Sequence, residues 1–590
     1  MALVLLATIA LRWPLMANAN QLLDSDEAVH ALAMKHLMAG DTFFLYYPGQ
    51  DYQGITEGLV GYAWTRLLGW SALAYKLGGF TFYLLFQICL WRAVALTAGR
   101  PAALAALLMS AAASPLTTQF SLSARGGHLA VPALGALATC CVFRFEATGR
   151  NGWLAAAGFT CGLAYYTYQL SIVLILPLVA YGALRSGLLG ALARSGWRHG
   201  GRPQAGAIRL MDGAVVVGLG GAAAVAASGG GAMTVGGLTV SARDPLSLLR
   251  WVVPLAAIRL ALCGSIWIEF LNRCRRRLAI TAAGALAGAM PVVIAYIWVP
   301  PDERGANTAL AGAAQVWRNA ELLFSGALPA LLGFGHNAND GLMVSLGQWA
   351  VGGVLLLGVA LALAAVPGSL RRKAGSWAEG PQPELLWGLM LACGLCAYLA
   401  SGAVVDITSM RYLVPMLLPV WGLAAIGLTR PSRWRPRFAG WLLVGLMVAC
   451  QLYFSLANYR QMGVVAADGF HIRRPPYTPD RLIDYCRRNG VTAGYGTYWI
   501  SYLTTFLTDE QIVLAPYRPH YQRQPPDYRQ QVRRSPNPVY VFLAVDEALR
   551  QPFAARLKAA GLNPDTLFFP GFGMGIVVYH GRDRPLPHGL

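Results

Sequence analysis

Long apolar runs separated by short polar segments make up the chain from its start to about Tyr459. Runs that reach or approach the ~20 residues a helix needs to cross a bilayer fall at 2–18, 76–98, 101–120, 128–145, 152–167, 169–184, 213–230, 248–270, 278–299, 342–366, 385–400, 412–429 and 438–457. The pattern predicts about thirteen spanning helices. It is least regular between 213 and 270, where GLGGAAAVAASGGGAMTVGG is glycine-rich and Arg250, Arg259 and Glu269 interrupt the next run, so helix boundaries there stay open.

Two stretches depart from this pattern. In DSDEAVHALAMKHLMAGD, residues 24–41, Val29, Leu32, Ala33 and Leu37 follow helical spacing behind a group of acids, and Gly40 can close the turn. That predicts a short helix lying at the membrane surface. After Tyr459 the chain becomes rich in Pro, Arg and Tyr and has no spanning run. A helix near 479–489, capped by Thr478 and ended by Gly490, strands near 511–516 and 538–545, a helix near 546–560 and a strand near 574–579 predict a small α/β module.

Composition narrows the class. With 590 residues, 56% hydrophobic and only 13% charged, the chain is too apolar for a water-soluble enzyme of this size and reads as a polytopic membrane protein. The net charge of +20 does not indicate nucleic acid, because the basic residues sit in short clusters between apolar runs, which is how membrane orientation is encoded. Arg100, Arg144 with Arg150, the run Arg185 to Arg209, Arg273 to Arg277, Arg371 to Lys373, and Arg430 to Arg437 occupy alternate loops, whereas the opposite loops carry only scattered basic residues, among them Lys35, Arg125, Arg243, Arg304 and Arg411. One topology fits: N-terminus inside, loop 19–75 outside, C-terminus outside. The chain then divides into a transmembrane domain, 1–457, and an extracytoplasmic α/β domain, 458–590, with the cytoplasmic (inner) membrane as its location.

The ten cysteines give no disulfide framework, since Cys89, Cys140, Cys141, Cys161, Cys263, Cys393, Cys396 and Cys450 fall in apolar segments. The opening segment MALVLLATIALRWPLMANA ends in a signal-peptide-like Ala-Asn-Ala, but it lacks a basic leader and is interrupted by Arg12, Trp13 and Pro14. An uncleaved first helix is the expectation.

Chemistry concentrates on the outer face. Asp24, Asp26 and Glu27 stand where the first helix leaves the membrane. Asp24 as N-cap with Glu27 three residues on is also a capping box, so the group has a purely structural reading beside the catalytic one. FFLYYPGQDYQGITEG adds Tyr52, Asp51 and Glu57 among aromatics and glycines, a combination that suits sugar binding as well as a surface turn. Lys76, Arg125, His128 and Arg411 supply positive charge. Arg411, beside Tyr412 in MRYLVPM, is placed to meet an anionic lipid phosphate at headgroup level, or simply to snorkel there. A base and a phosphate clamp on one face fit attack by an acceptor hydroxyl on a sugar linked to a lipid phosphate, which leaves as a stable anion.

These residues carry a resemblance to the GT-C superfamily of lipid-phosphate-sugar glycosyltransferases, in particular the aminoarabinose transferase, protein O-mannosyltransferase and rhizobial galacturonosyltransferase group. Members have an Asp-Glu pair in the first outer loop and then a helix ending in Gly-Asp; here Asp26 and Glu27 precede AVHALAMKHLMA, Gly40 and Asp41. ALAYKLGGF with Lys76 resembles the start of the family's next helix, and MRYLVPM its late Arg-Tyr segment. The resemblance implies that Asp26 is the catalytic base; together with the reading of the outer face, Glu27 is expected to be catalytic beside it and Asp24, Tyr52, Glu57, Lys76, Arg125, His128, Arg411 and Tyr412 to bind substrate, although the family's lysine contact to the donor phosphate does not carry over. It also implies a polyprenyl-phosphate-linked hexose or pentose as donor and a lipid, glycan or protein hydroxyl as acceptor.

Relatives with the Asp-Glu pattern are metal-independent, so no cofactor is expected, although Asp24 and Asp26 form the D-x-D that holds a divalent metal in oligosaccharyltransferase-like relatives. The chain departs from the family where Tyr52-Gln53-Gly54 and then Glu57 replace a Glu-Lys-Pro type motif, and at His128, where many relatives have an acid. A transporter or flippase of lipid-linked sugars is the rival reading; no internal repeat supports it, and the acids lie in outer loops rather than midway along helices. A third is a noncatalytic scaffold.

Overall fold

A computed structural model describes residues 1–48, 50, 52–186, 231–235, 238–242, 264–298, 311–333, 342–364, 381–430, 437–466, 468–472, 478–518, 527–569, 575–581 and 586–588. The expected run 213–230, most of 248–270, and Asp51 lie outside the described residues. The described chain is predominantly helical, with a small sheet near its C-terminus. Among the described residues, five helices are long and apolar enough to cross a membrane: Ala72–Ala111, Ala130–Thr148, Pro383–Ala400, Thr408–Thr429 and Phe438–Gln461. Two expected boundaries move. Arg275, Arg276 and Arg277 are not in a loop but exposed within the helix Gly264–Gly288, because arginine is a good helix former and its charge reaches solvent from there. The run 101–120 gives a helix that ends at Ala111, with a separate short helix Pro115–Phe120 after it, and it stays distinct from the helix before it because Gly99, at φ +85° and followed by Pro101, breaks the backbone between them.

The chain forms two compact units: Met1–Leu6, Leu85–Thr117 and Val131–Phe454 in the first, Ala7–Leu84, Thr118–Ala130 and Ser455–Leu590 in the second. In the first unit the helices Gly152–Thr167 and Gly264–Gly288 pack backbone to backbone. A Cβ on Gly158 or Gly162 would collide with the carbonyl of Thr281 or Ala285, and one on Gly284 or Gly288 with that of Ala155 or Phe159. Such small-residue spacing is how apolar helices approach closely without a hydrophobic driving force. Arg185, expected in a basic loop, is buried in this unit and donates to Glu146 at 2.9 Å, where the Tyr181 hydroxyl also donates.

The second unit is built from α1 (Ala2–Met16, from Ala7 on), α2 (Ser25–Ala39), α3 (Thr56–Leu68), α4 (Ala72–Ala111, up to Leu84) and the C-terminal module. The module runs α5 (Thr478–Arg488), β1 (Ala493–Gly496), α6 (Tyr498–Leu507), β2 (Val513–Pro516), α7 (Tyr528–Arg533), β3 (Val539–Leu543), α8 (Glu547–Ala559), β4 (Asp565–Phe569) and β5 (Ile576–His580). Its sheet has the order β2-β1-β3-β5-β4; β1 is parallel to β2 and β3, and β5 is antiparallel to β3 and β4. Tyr495 lies opposite both Ala515 and Tyr540, and Val577 opposite Phe542 and Phe568. Phe553 of α8 covers one face, 4.7 Å from the Tyr540 ring and 5.0 Å from Phe542. β1 has no strand-like pattern in its AGYG sequence. It forms because Gly494 brings the backbone so close to β3 that a Cβ would stand 2.5 Å from the Val539 carbonyl oxygen.

Candidate active site

The N-terminus of α2 organises the acids. Asp24 caps the helix, accepting from the Glu27 N–H at 2.9 Å, while its own N–H reaches Glu27 Oε2 at 3.4 Å, and Gly40 in the left-handed region ends the helix. Glu27 points into the unit and is fully buried. Its Oε1 accepts from the Ala124 N–H at 2.8 Å and its Oε2 from Lys76 at 2.5 Å. Lys76 also donates to the carbonyls of Leu22 at 2.9 Å and Leu122 at 3.3 Å, so an ammonium with three protons meets three acceptors. Asp24 and Glu27 carry the capping box, and Asp26, between them in sequence, is half-buried.

Asp26 Oδ1 accepts from the Tyr498 hydroxyl of α6 at 2.6 Å, and Oδ2 has no protein partner among the described residues. Next to it, Ser25 donates to the Trp499 carbonyl at 2.7 Å, which fixes α6 against α2. The sequence places Tyr498 and Tyr502 a helical turn apart beside Trp499 without showing what they face. Tyr502 proves to be core, fully buried, whereas Tyr498 reaches the acids.

Arg125 forms an ion pair with Asp24 and lies 5.8 Å over the Phe120 ring, with about a third of its side chain exposed. Burial pushes Asp24 up to about 6, the Glu27 charge adds to this, and Arg125 opposes it. Glu57, at the first turn of α3, accepts from the Gly126 N–H at 3.1 Å in a buried site. Burial raises it to about 7, against the pull of the Gly127 and Gly126 N–H groups. His30 sits below its ordinary value, because burial outweighs the nearby Asp26 charge, and its ring stacks on Tyr47 at 3.9 Å. Gly126 is required here: at φ +81°, its missing Cβ leaves room for Gln53 and His30. His128 is buried and edge-on to Phe120, and Tyr52 stands half-buried in the turn before α3.

The structure thus brings Asp24, Asp26, Glu27, Glu57, Lys76, Arg125 and His128 together within one unit. Arg411 and Tyr412 belong to the other unit. There, Asp406 caps a 3₁₀ segment, Ile407–Met416, by accepting from the Thr408 N–H at 2.8 Å, and the Arg411 guanidinium lies 5.3 Å over the Tyr412 ring. Among the described residues no group of three or more His, Cys, Asp and Glu side chains is arranged to hold a metal. Of the D-x-D pair, Asp24 is engaged by the helix cap and by Arg125.

No protein-family description and no curated protein matches the chain. Solved structures do. The oligosaccharyltransferase AglB of Archaeoglobus fulgidus, in complex with an inhibitory peptide and a dolichol-phosphate, is 12% identical, with all of this chain and 74% of that one covered at a TM-score of 0.46. An Archaeoglobus fulgidus oligosaccharyltransferase in complex with Zn and sulfate is 12% identical over 97% of this chain and 72% of its own, at 0.48. ArnT of Cupriavidus metallidurans bound to undecaprenyl phosphate is 14% identical over 100% of this chain and 99% of its own, at 0.36. All are distant likenesses.

Proposed function

We propose that the chain is an inverting glycosyltransferase that moves a hexose or pentose from a polyprenyl-phosphate donor to a hydroxyl of a lipid, glycan or protein on the outer face of the cytoplasmic membrane. In this reading residues 1–457 form a domain of about thirteen spanning helices, and 458–590 an extracytoplasmic domain. The observation that carries it is the sorting of the three acids: Asp24 and Glu27 are consumed by the helix cap, Arg125 and Lys76, while Asp26 is half-buried and keeps one oxygen open. A carboxylate so held is suited to general-base work and to little else. The acceptor hydroxyl gives its proton to Asp26 Oδ2 as its oxygen bonds to the sugar's anomeric carbon, and the bond from that carbon to the phosphate oxygen breaks, its electron pair leaving with the lipid phosphate. Configuration inverts because attack and departure are on opposite faces.

Arg125, partly exposed beside the acids, is assigned the donor's negative charge; Arg411 and Tyr412 are assigned the lipid phosphate on the sequence pattern. Glu57, His128 and Tyr52 are assigned the sugar or acceptor. Glu27 and Lys76 hold the acids in place. The test is purified protein supplied with a panel of polyprenyl-phosphate sugars and membrane extract, products being identified by mass spectrometry. Asp26→Asn should remain folded and lose roughly 10²–10⁴-fold in turnover, the usual contribution of a general base. Turnover at the parental rate in that variant would sink the assignment.

A further inference from the structure

Asp26 is held by a residue from the far end of the chain. The Tyr498 hydroxyl donates to Oδ1 at 2.6 Å, a charge-assisted hydrogen bond across 472 positions in sequence. The other carboxylate oxygen has no protein partner among the described residues. A carboxylate has two oxygens but rotates about its Cβ–Cγ bond, so fixing one oxygen fixes the direction of the other.

The phenol is itself held. Its ring meets Trp499 at 5.2 Å and Tyr502 at 5.5 Å, both near-perpendicular, and Tyr502 is fully buried. The helix carrying it, α6, is tied to α2 beside Asp26 by the bond from Ser25 to the Trp499 carbonyl, and at its other end to Trp70, just ahead of α4, whose indole donates to the Phe506 carbonyl at 3.1 Å. An α6 anchored at both ends leaves the Tyr498 oxygen little room to wander.

We infer that Tyr498 is a positioning residue for the base: it pins Oδ1 of Asp26 so that Oδ2 faces the acceptor hydroxyl, which makes the C-terminal module part of the reaction centre. The inference rests on the glycosyltransferase reading above. Pre-aligning a base is worth a rate factor that a small misplacement forfeits, and a phenol hydroxyl does this without competing for the acceptor's proton.

Three full-length variants, Tyr498→Phe, Tyr498→Ala and Asp26→Asn, assayed with undecaprenyl-phosphate-linked hexose and pentose and membrane extract as acceptor, test it. Tyr498→Phe keeps the ring and removes only the hydroxyl; it should lower kcat by about tenfold or more with donor KM and Tm unchanged. Tyr498→Ala should add little further loss in kcat even where it lowers Tm. A role in packing alone predicts the reverse, a Phe variant with parental kcat and an Ala variant that loses Tm and activity together, and that result overturns the inference. An inactive Asp26→Asn beside a fully active Tyr498→Phe removes Tyr498 and leaves the base; a fully active Asp26→Asn removes the base itself.

Discussion

Glu27 and Lys76 meet at 2.5 Å with 0% and 4% of their side chains exposed, and each is satisfied on its other side by backbone groups. Taking two charges out of water is costly, and breaking such a pair by removing one partner costs more than the pair contributes, because the survivor stays buried and uncompensated. Glu27→Gln keeps an acceptor for the Ala124 N–H but strands the ammonium; a loss of ~3–5 kcal/mol is expected. It should appear as a large drop in Tm. Lys76→Met should drop it similarly, and the double variant less than the sum of the two, since neither charge is then stranded. Additive drops would place Lys76 elsewhere, free for a phosphate. The acids themselves, and the capping box they form, were legible in DSDE because a cap depends on residues three apart. The choice of Asp26 among them rests on the family resemblance; the partners that hold the acids, Lys76, Ala124 and Tyr498, were not legible, because helical spacing carries no information about residues 49 to 472 positions away.

Between α2 and the turn after α6 lies a charged clasp. Asp509 and Glu510 both adopt left-handed backbone conformations, φ +49° and +65°, which non-glycine residues rarely hold without compensation. The compensation is direct: Lys35 donates to Asp509 at 2.5 Å and Glu510 at 2.6 Å, His36 stands 2.7 Å from both Glu510 and Asp41, and the Tyr528 hydroxyl donates to Glu510 at 2.8 Å. Burial alone would lower His36, but the hydrogen bonds to Glu510 and Asp41 outweigh it and raise it above 6.5. Burial likewise pushes Glu510 up, and is overcome by His36, Lys35 and Tyr528, which take it down to about 2. The raised histidine strengthens the fold below 6.5 and loses that contribution as pH rises through its folded value; the depressed glutamate contributes above 4.5 and loses it as pH falls towards 2. Tm should therefore decline as pH rises above 6.5. In Glu510→Gln that decline should flatten, and a variant with the parental slope would show that the clasp does not hold α6 to α2. The helices α5 and α8 and the strands β2, β3 and β5 could be expected from periodicity and caps. β1, whose glycines serve a close backbone approach, β4, and the docking of α6 could not, since each is set by tertiary contact.

Among the described residues, three of the apolar runs coincide with helices: 152–167 is the helix Gly152–Thr167, 385–400 is Pro383–Ala400 and 438–457 lies within Arg437–Gln461. Such runs are legible because a spanning segment must satisfy its backbone internally and be apolar throughout, constraints that act on every residue. Orientation is a separate quantity, set by where Lys and Arg accumulate within a short distance of the spans rather than by net charge. The proposed topology puts Arg144 with Arg150, and Arg371 to Lys373, on the cytoplasmic side, and loop 19–75 and the C-terminal module on the other. The acids of α2 require this arrangement for the proposed chemistry, as α6 docks on α2 and both must share a face with the lipid-linked donor. Alkaline phosphatase is active only after export, so fusions following residue 590, or inserted at Asp41, should be active. Fusions at Arg150 or Lys373 should be inactive, and a cytoplasmic fluorescent reporter should show the opposite pattern. Active phosphatase at Arg150 together with silence at residue 590 would invert the topology, and the donor would then have to be sought among sugars linked to lipid on the cytoplasmic leaflet.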